Sequence, residues 1–274
     1  MKTIYIIITV FIVLYVFLLY IIYSHYKRVS ENYDHLSDNN IKLWFITYGG
    51  PNTNYHDAVR RLTTEVEDTH IFDHIIGYSD SDLKKDNDFW SRHSEFCENN
   101  RGYGCWIWKP YLIMKTLELM EYDDILFYSD AGCTINNDND KRDNMLKLIN
   151  KCKEKELLFS STYTSEKQYC KHDILKHLKM DTEEIMNSTQ FQASFMFIKK
   201  TDRIVQFVND WYNTMCIYHL VDDTPSKYHE ELPEFIDSRH DQTVFSLFAK
   251  RYGFTEDNML HEYSPVVISR RRSG

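Results

Sequence analysis

The chain has 274 residues, a net charge of −9, and is 43% hydrophobic and 15% aromatic. That much apolar surface excludes disorder over most of its length, and the acidic balance excludes a protein that holds nucleic acid by overall charge. Six cysteines with no C-x-x-C pair exclude a disulfide scaffold and a zinc ribbon.

Residues 4–22 hold Thr9 as their one clearly polar side chain. About 20 helical residues cross a ~30 Å hydrocarbon layer, so the spacing predicts a single-pass transmembrane anchor over 4–23. No small-residue cleavage site precedes Lys27 and Arg28. Lys2 on one side nearly cancels those two on the other, which leaves the topology open. Residues 24–40 are polar and aperiodic and read as a stem, followed by a domain over 41–274.

Strand-like apolar runs occupy 41–48, 70–78, 124–129, 157–160 and 191–198, the first stopped by Gly49-Gly50-Pro51. Helical spacing links Leu112, Ile113, Thr116, Leu117 and Met120 behind Pro110, which suits the first position of a helix. The same spacing links Met145, Leu148, Ile149 and Cys152, and Ile204, Val208, Trp211, Tyr212 and Met215. A last helix is expected from Asp237 or Ser238, burying Val244, Leu247 and Phe248. Residues 220–236, acidic and carrying Pro225 and Pro233, read as a surface loop, and Arg270-Arg271-Arg272 as a solvated patch. Strands alternating with helices predict an α/β fold: a mostly parallel sheet with helices on both faces.

Such sheets bind ligands beyond the carboxyl ends of their strands. The run 125–128 leads straight into Ser129-Asp130-Ala131-Gly132, so Asp130 is a carboxylate at that edge with small neighbours. A carboxylate there suits a hard cation bridging to a diphosphate, or it merely opens a turn. Asp123 and Asp124 lie at the strand's other end. No P-loop, complete G-x-G-x-x-G, G-x-S-x-G or H-E-x-x-H occurs.

The run Gly102-Tyr103-Gly104-Cys105-Trp106-Ile107-Trp108-Lys109-Pro110-Tyr111, with Tyr128-Ser129-Asp130-Ala131-Gly132-Cys133, resembles GT-A-type glycosyltransferase-like proteins of bacterial surface-polysaccharide loci and large DNA viruses. Gln192-Ala193-Ser194-Phe195 and Arg239-His240-Asp241-Gln242 resemble that family's later blocks. The resemblance covers roughly 41–265. It implies a GT-A-like fold, a nucleotide-sugar donor, a divalent cation (Mn²⁺ or Mg²⁺), and transfer to a glycan, glycoprotein or other hydroxyl acceptor. It also implies Asp130 as a metal ligand, joined by a late histidine, here His261. The chain departs from the usual D-x-D, since Gly132 stands at the third position.

Around those motifs, one of Trp106 and Trp108 is expected in the core and the other as a platform, with Trp108 named for the substrate. Lys109 at a helix start is placed to reach phosphate or else is an ordinary surface lysine. Gln192, polar in an apolar strand, is expected to bond backbone or an acceptor hydroxyl. Asp241 reads either as the acid of a Ser238-x-x-Asp241 helix cap or as the base on the acceptor, with Arg239 and His240 toward the leaving diphosphate. The expected function is a membrane-anchored glycosyltransferase. A catalytically silent sugar- or nucleotide-binding protein is the alternative, and a nucleotidyl- or phosphotransferase is a third.

Overall fold

The computed structural model describes residues 12–24, 27, 41–259 and 264–271. The chain forms two units, one of residues 1–41 and one of 42–274. In the first, helix α1 (residues 12–24) has every described side chain exposed. Among the described residues no helix is long and apolar enough to cross a membrane, and residues 4–11 of the expected span lie outside the described residues.

The second unit is built on a five-stranded sheet in the order β2 (His74–Ser79), β1 (Leu43–Gly49), β3 (Ile125–Ser129), β8 (Phe195–Lys199), β5 (Leu157–Leu158). Strand β1 runs parallel to both β2 and β3, while β8 runs antiparallel to both β3 and β5. Only β8 is therefore reversed, and the sheet is mostly parallel as expected. A run such as Leu43-Trp44-Phe45-Ile46, apolar at every position, satisfies a strand buried on both faces.

Alternation along the pleat sends those side chains to two layers. On one face Phe45, Phe127, Phe197 and Leu158 stand in register, with Phe127 and Phe197 stacked at 4.5 Å. Helices α2 (Thr53–Glu67) and α7 (Asn139–Lys155) cover that face. Gly49 permits α2 to approach, because a Cβ there would lie 2.6 Å from the Tyr55 carbonyl oxygen. On the other face Trp44, Ile46, Tyr48, Leu126, Tyr128, Met196 and Ile198 join a core with α4 (Asn87–Asn99), α6 (Trp108–Leu119), α11 (Asp202–Met215) and α13 (Asp241–Arg251). Each such large side chain, fully buried, contributes about 1.5–3 kcal/mol of hydrophobic stabilisation.

Several boundaries differ from the sequence reading. Pro110 is the third residue of α6, not the first, and the last helix begins at Asp241 instead of at Asp237 or Ser238. The run 191–198 divides between β7 (Thr189–Phe191) and β8, because Gln192, Ala193 and Ser194 leave the ladder at the edge where Asp130 lies. Helices α2, α3 (Asp80–Lys85) and α4 occupy stretches without a helical expectation from the sequence. Residues 223–240 are irregular, but the loop expected over 220–236 starts later, because Leu220 and Val221 are buried at the end of a short helix, Tyr218–Val221.

Candidate active site

Parallel pairing of β1 with β3, and reversal of β8, bring Gly50, Asp130 and Ser194 to one edge of the sheet. The Asp130 amide donates to the Ser194 carbonyl at 2.7 Å, closing that edge. Helix α6 then brings Lys109, from its second position, beneath Asp130. The Lys109 ammonium lies 2.6 Å from Asp241 Oδ2 and 3.2 Å from Asp130 Oδ1, and donates to the Ala193 carbonyl at 3.0 Å. The Tyr128 hydroxyl donates to the same Asp130 Oδ1 at 2.5 Å.

Burial differs sharply within this triad. The Lys109 and Asp241 side chains are 4% and 7% exposed, whereas that of Asp130 is 34% exposed. Burial alone would pull the Lys109 pKa down, but the flanking Asp130 and Asp241 carboxylates outweigh it and hold the ammonium charged. Burial pushes the Asp241 carboxyl above its ordinary 3.8, although Lys109 opposes the shift. The lysine expected to reach phosphate is thus an internal cation, ion-paired to two carboxylates and hydrogen-bonded to one carbonyl.

The cap explanation for Asp241 does not hold. Helix α13 is capped by His240, whose φ of 50° is left-handed, and the Ser238 hydroxyl accepts from the His240 amide. Asp241 is the first helical residue and spends its side chain on Lys109. His240 itself is buried: its Nδ1 contacts the Val221 carbonyl at 2.5 Å and its Nε2 accepts from Arg101. Both ring nitrogens are thus engaged within the protein, which leaves none free for a diphosphate.

A left-handed turn completes the wall. Gly102, Tyr103, Gly104, Cys105 and Trp106 all have positive φ. Three of them are not glycine, and each such residue costs roughly 1–2 kcal/mol. The turn seats the Trp106 ring on His240, with centroids 5.3 Å apart, and folds it against Gly102, where a Cβ would lie 2.4 Å from the indole. Trp108 is the more buried of the pair: it packs on Tyr48 at 4.0 Å and donates to the Gly102 carbonyl at 2.9 Å. Trp106 is therefore the half-buried ring that borders both cavities and Trp108 mainly core, though Trp108 also borders the larger cavity.

Two cavities adjoin here. The larger, about 860 Å³, runs from the end of β1 past Tyr55, Asn100 and Tyr103. The smaller, about 410 Å³, is bordered by Gln192, Arg239, Asp241 and Gln242. Trp106, Asp130, Gly132 and Arg270 line both. Gln192 Oε1 is buried without a hydrogen-bond partner, an acceptor on the smaller cavity's wall. Arg239 lies on the Tyr169 ring at 3.7 Å.

Arg270 and Arg271 are exposed, as expected of a solvated patch, and Arg272 lies outside the described residues, but the segment before them is anchored. Strand β9 (Val266–Ile268) pairs antiparallel with β4 (Cys133–Ile135), just after Gly132, and so delivers Arg270 and Arg271 to the cavity mouth. Arg61 holds this arrangement by donating to the carbonyls of Ala131 and Cys133 at 2.8 and 2.9 Å. Nothing local in 264–271 signals the contact, because β4 and β9 are far apart in sequence. The Tyr128 hydroxyl was missed for the same kind of reason: in sequence it is one more apolar-run aromatic.

The described residues around Asp130 do not fit a divalent cation. Asp130 Oδ1 is already engaged by Tyr128 and by Lys109, so a dication on the other oxygen would lie close to a fixed ammonium. Among the described residues no group of three His, Cys, Asp or Glu side chains could hold a metal ion. His261, the expected late ligand, lies outside the described residues.

No family model and no curated protein matches the chain. Solved structures to which it is similar include mouse xyloside xylosyltransferase 1 in its apo form, at 9% identity and a TM-score of 0.42, covering 79% of this chain and 84% of that one. Another is the galactosyltransferase LgtC in complex with donor and acceptor sugar analogues, at 14% identity and a TM-score of 0.38, covering 75% of this chain and 70% of that one. At these scores neither likeness decides fold or activity, and both must be argued from the chain's own residues.

Proposed function

We propose that the chain is a glycosyltransferase with a GT-A-like fold that moves a sugar from a nucleoside diphosphate donor to a hydroxyl acceptor. The observation that carries this reading is the Asp130–Lys109–Asp241 triad at the junction of two cavities, on the edge where α/β sheets bind ligands. The larger cavity has the volume and aromatic wall of a nucleotide site, and the smaller has the hydrogen-bonding wall of a saccharide site. The two lie side by side at Asp130, as donor and acceptor of a transferred group must.

In this reading the acceptor hydroxyl lies in the smaller cavity, near Gln192 Oε1. Its oxygen bonds to the anomeric carbon while the bond from that carbon to the diphosphate oxygen breaks, and the electron pair leaves with the diphosphate. Asp241 takes the hydroxyl proton, and a carboxyl raised by burial is better matched to that task than an ordinary one. Lys109 keeps the two carboxylates together without mutual repulsion. Residues 4–23, in the same reading, hold the protein to a membrane.

Donor turnover by the full-length chain tests the proposal. Release of free nucleoside diphosphate with a sugar-bearing product is the expected outcome. Pyrophosphate release would instead identify a nucleotidyltransferase. Saturable binding of nucleotide sugars without turnover would identify a silent binding protein on the same fold.

A further inference from the structure

The cavities contain more positive charge than the triad uses, and its distribution is uneven. Lys84 is paired with Asp80, Arg101 with Asp223 and Asp237, and Lys109 with Asp130 and Asp241. Arg239 is laid flat on Tyr169. Arg270 and Arg271 line the larger cavity and have no carboxylate partner among the described residues. Arg270 also borders the smaller one.

Their backbone is held as if the position mattered. The Arg271 amide and the Ser269 hydroxyl both donate to the Gly132 carbonyl, at 3.0 and 2.9 Å. Arg61 reaches the Arg271 carbonyl at 3.4 Å with the guanidinium nitrogen that also holds Ala131 and Cys133. Arg61 is itself partly buried and oriented by Glu65 at 2.8 Å. Arg270 adopts φ 51°, a strained conformation for a residue with a Cβ, and strain of this kind collects at ligand sites. The backbone of Arg270 and Arg271 is thereby fixed beside Gly132, with Arg270 at the joint between the cavities and Arg271 on the larger one.

We propose that Arg270 and Arg271 form a diphosphate clamp that takes the place of a divalent cation in this site. The inference rests on the glycosyl-transfer reading for its ligand. Guanidinium groups bind phosphate oxygens through paired, charge-assisted hydrogen bonds, and two of them match the two charges of a diphosphate. The position that a dication would share with Asp130 is already served by the Lys109 ammonium, and the charge that such an ion would supply comes from the C-terminal strap.

Binding measured by calorimetry on the full-length chain decides the matter, with nucleoside diphosphate and inorganic pyrophosphate as probes, each in excess chelator and in Mn²⁺. Nucleoside diphosphate is expected to bind equally well in both, and Arg270→Ala/Arg271→Ala should weaken it by about a hundredfold, roughly tenfold per charged pair lost. The lysine pair Arg270→Lys/Arg271→Lys should recover part of the loss, and both variants should melt with the parent because the side chains are exposed. Binding that demands Mn²⁺, or that survives the double alanine variant unchanged, overturns the clamp while leaving glycosyl transfer standing. Arginine-dependent binding of pyrophosphate without any binding of nucleoside diphosphates keeps the anion site and sinks the glycosyl-transfer reading. Failure of both probes to bind sinks both.

Discussion

Asp130 is the member of the triad that borders both cavities. Its side chain is the exposed member of the triad, held at one oxygen by Tyr128 and Lys109, which leaves the other toward the cavities. Asp130→Asn keeps the shape and removes the charge. Stability should change by about 1 kcal/mol or less. Transfer should fall at least ~100-fold, about 2.7 kcal/mol of transition-state stabilisation, in a donor-turnover assay on protein with an unchanged melting curve. Asp124, at the far end of the same strand, is no neutral comparison. It is buried and accepts from the Lys42 amide at 2.7 Å, the Trp44 indole at 3.1 Å and the Glu121 amide at 3.0 Å. Asp124→Asn should therefore cost about 1–3 kcal/mol in denaturant unfolding while leaving the activity of the folded fraction unchanged.

The buried pair behaves differently again. Lys109→Met would leave two carboxylates close together without their cation, and stability should drop by about 3–5 kcal/mol. Adding Asp241→Asn should restore part of it, which a double-mutant cycle in urea would measure. Asp241 also sets a pH dependence. Its folded pKa is raised above 3.8, so the folded state binds the proton more tightly than the unfolded chain does. The stability it contributes is present at low pH and lost as pH rises through the folded value. As the acceptor's base it must be ionised, so the acidic limb of kcat/KM should fall above pH 3.8 and disappear in Asp241→Asn.

Among the elements, the left-handed turn and helix α4 carry separate consequences. Trp106 reaches the cavities only because Gly102 lacks a Cβ and accepts φ 64°. Gly102→Ala should displace the indole and weaken nucleotide binding by about tenfold or more, the loss of an aromatic stacking partner worth roughly 1–3 kcal/mol. Calorimetry with a nucleoside diphosphate would show it, and unchanged affinity would mean that Trp106 is not a platform. In α4, His93 lies buried between the hydroxyls of Tyr218 and Tyr212 at 2.7 and 2.8 Å, and burial pushes its pKa from 6.5 down to about 4. A histidine depressed in the fold is stabilising when neutral. Its contribution is complete above 6.5 and is lost as pH falls toward 4. Melting temperature should thus decline over that window, and less steeply in His93→Gln.

At the scale of the whole molecule, the described residues of the N-terminal unit add nothing to the core. No buried core residue comes from residues 12–24, and both faces of the sheet are covered by helices of the second unit. Expression from Ile41 should give a folded domain with the donor turnover of the full chain. Vesicle flotation checks the complementary half of that expectation: the full chain should float with the lipid and the shortened chain should not. Aggregation of the shortened chain under native conditions would show that the apolar stretch belongs to the core.

Local chemistry made the sheet and the position of Asp130 legible. An apolar run such as Ile125-Leu126-Phe127-Tyr128 can be satisfied only by burial on both faces, and the small residues after it leave no choice but a strand end. Motif resemblance brought Lys109, Gln192, Arg239, His240 and Asp241 into one neighbourhood, but not into their roles. A lysine at a helix start reads as exposed until the helix proves to be buried along most of its first turns, and Ser238-x-x-Asp241 reads as a cap until the helix begins three residues later. What the sequence determined by itself was whatever depends on periodicity and on chain neighbours: the α/β alternation, the end of β3 at Asp130, and the buried faces of α6, α11 and α13. What only the tertiary structure decided was whatever depends on residues far apart in the chain. The ammonium shared by Asp130 and Asp241, the strand pairing that carries Arg270 to Gly132, and the two cavities that meet there arise from non-local pairing, for which no local pattern of side chains encodes a partner.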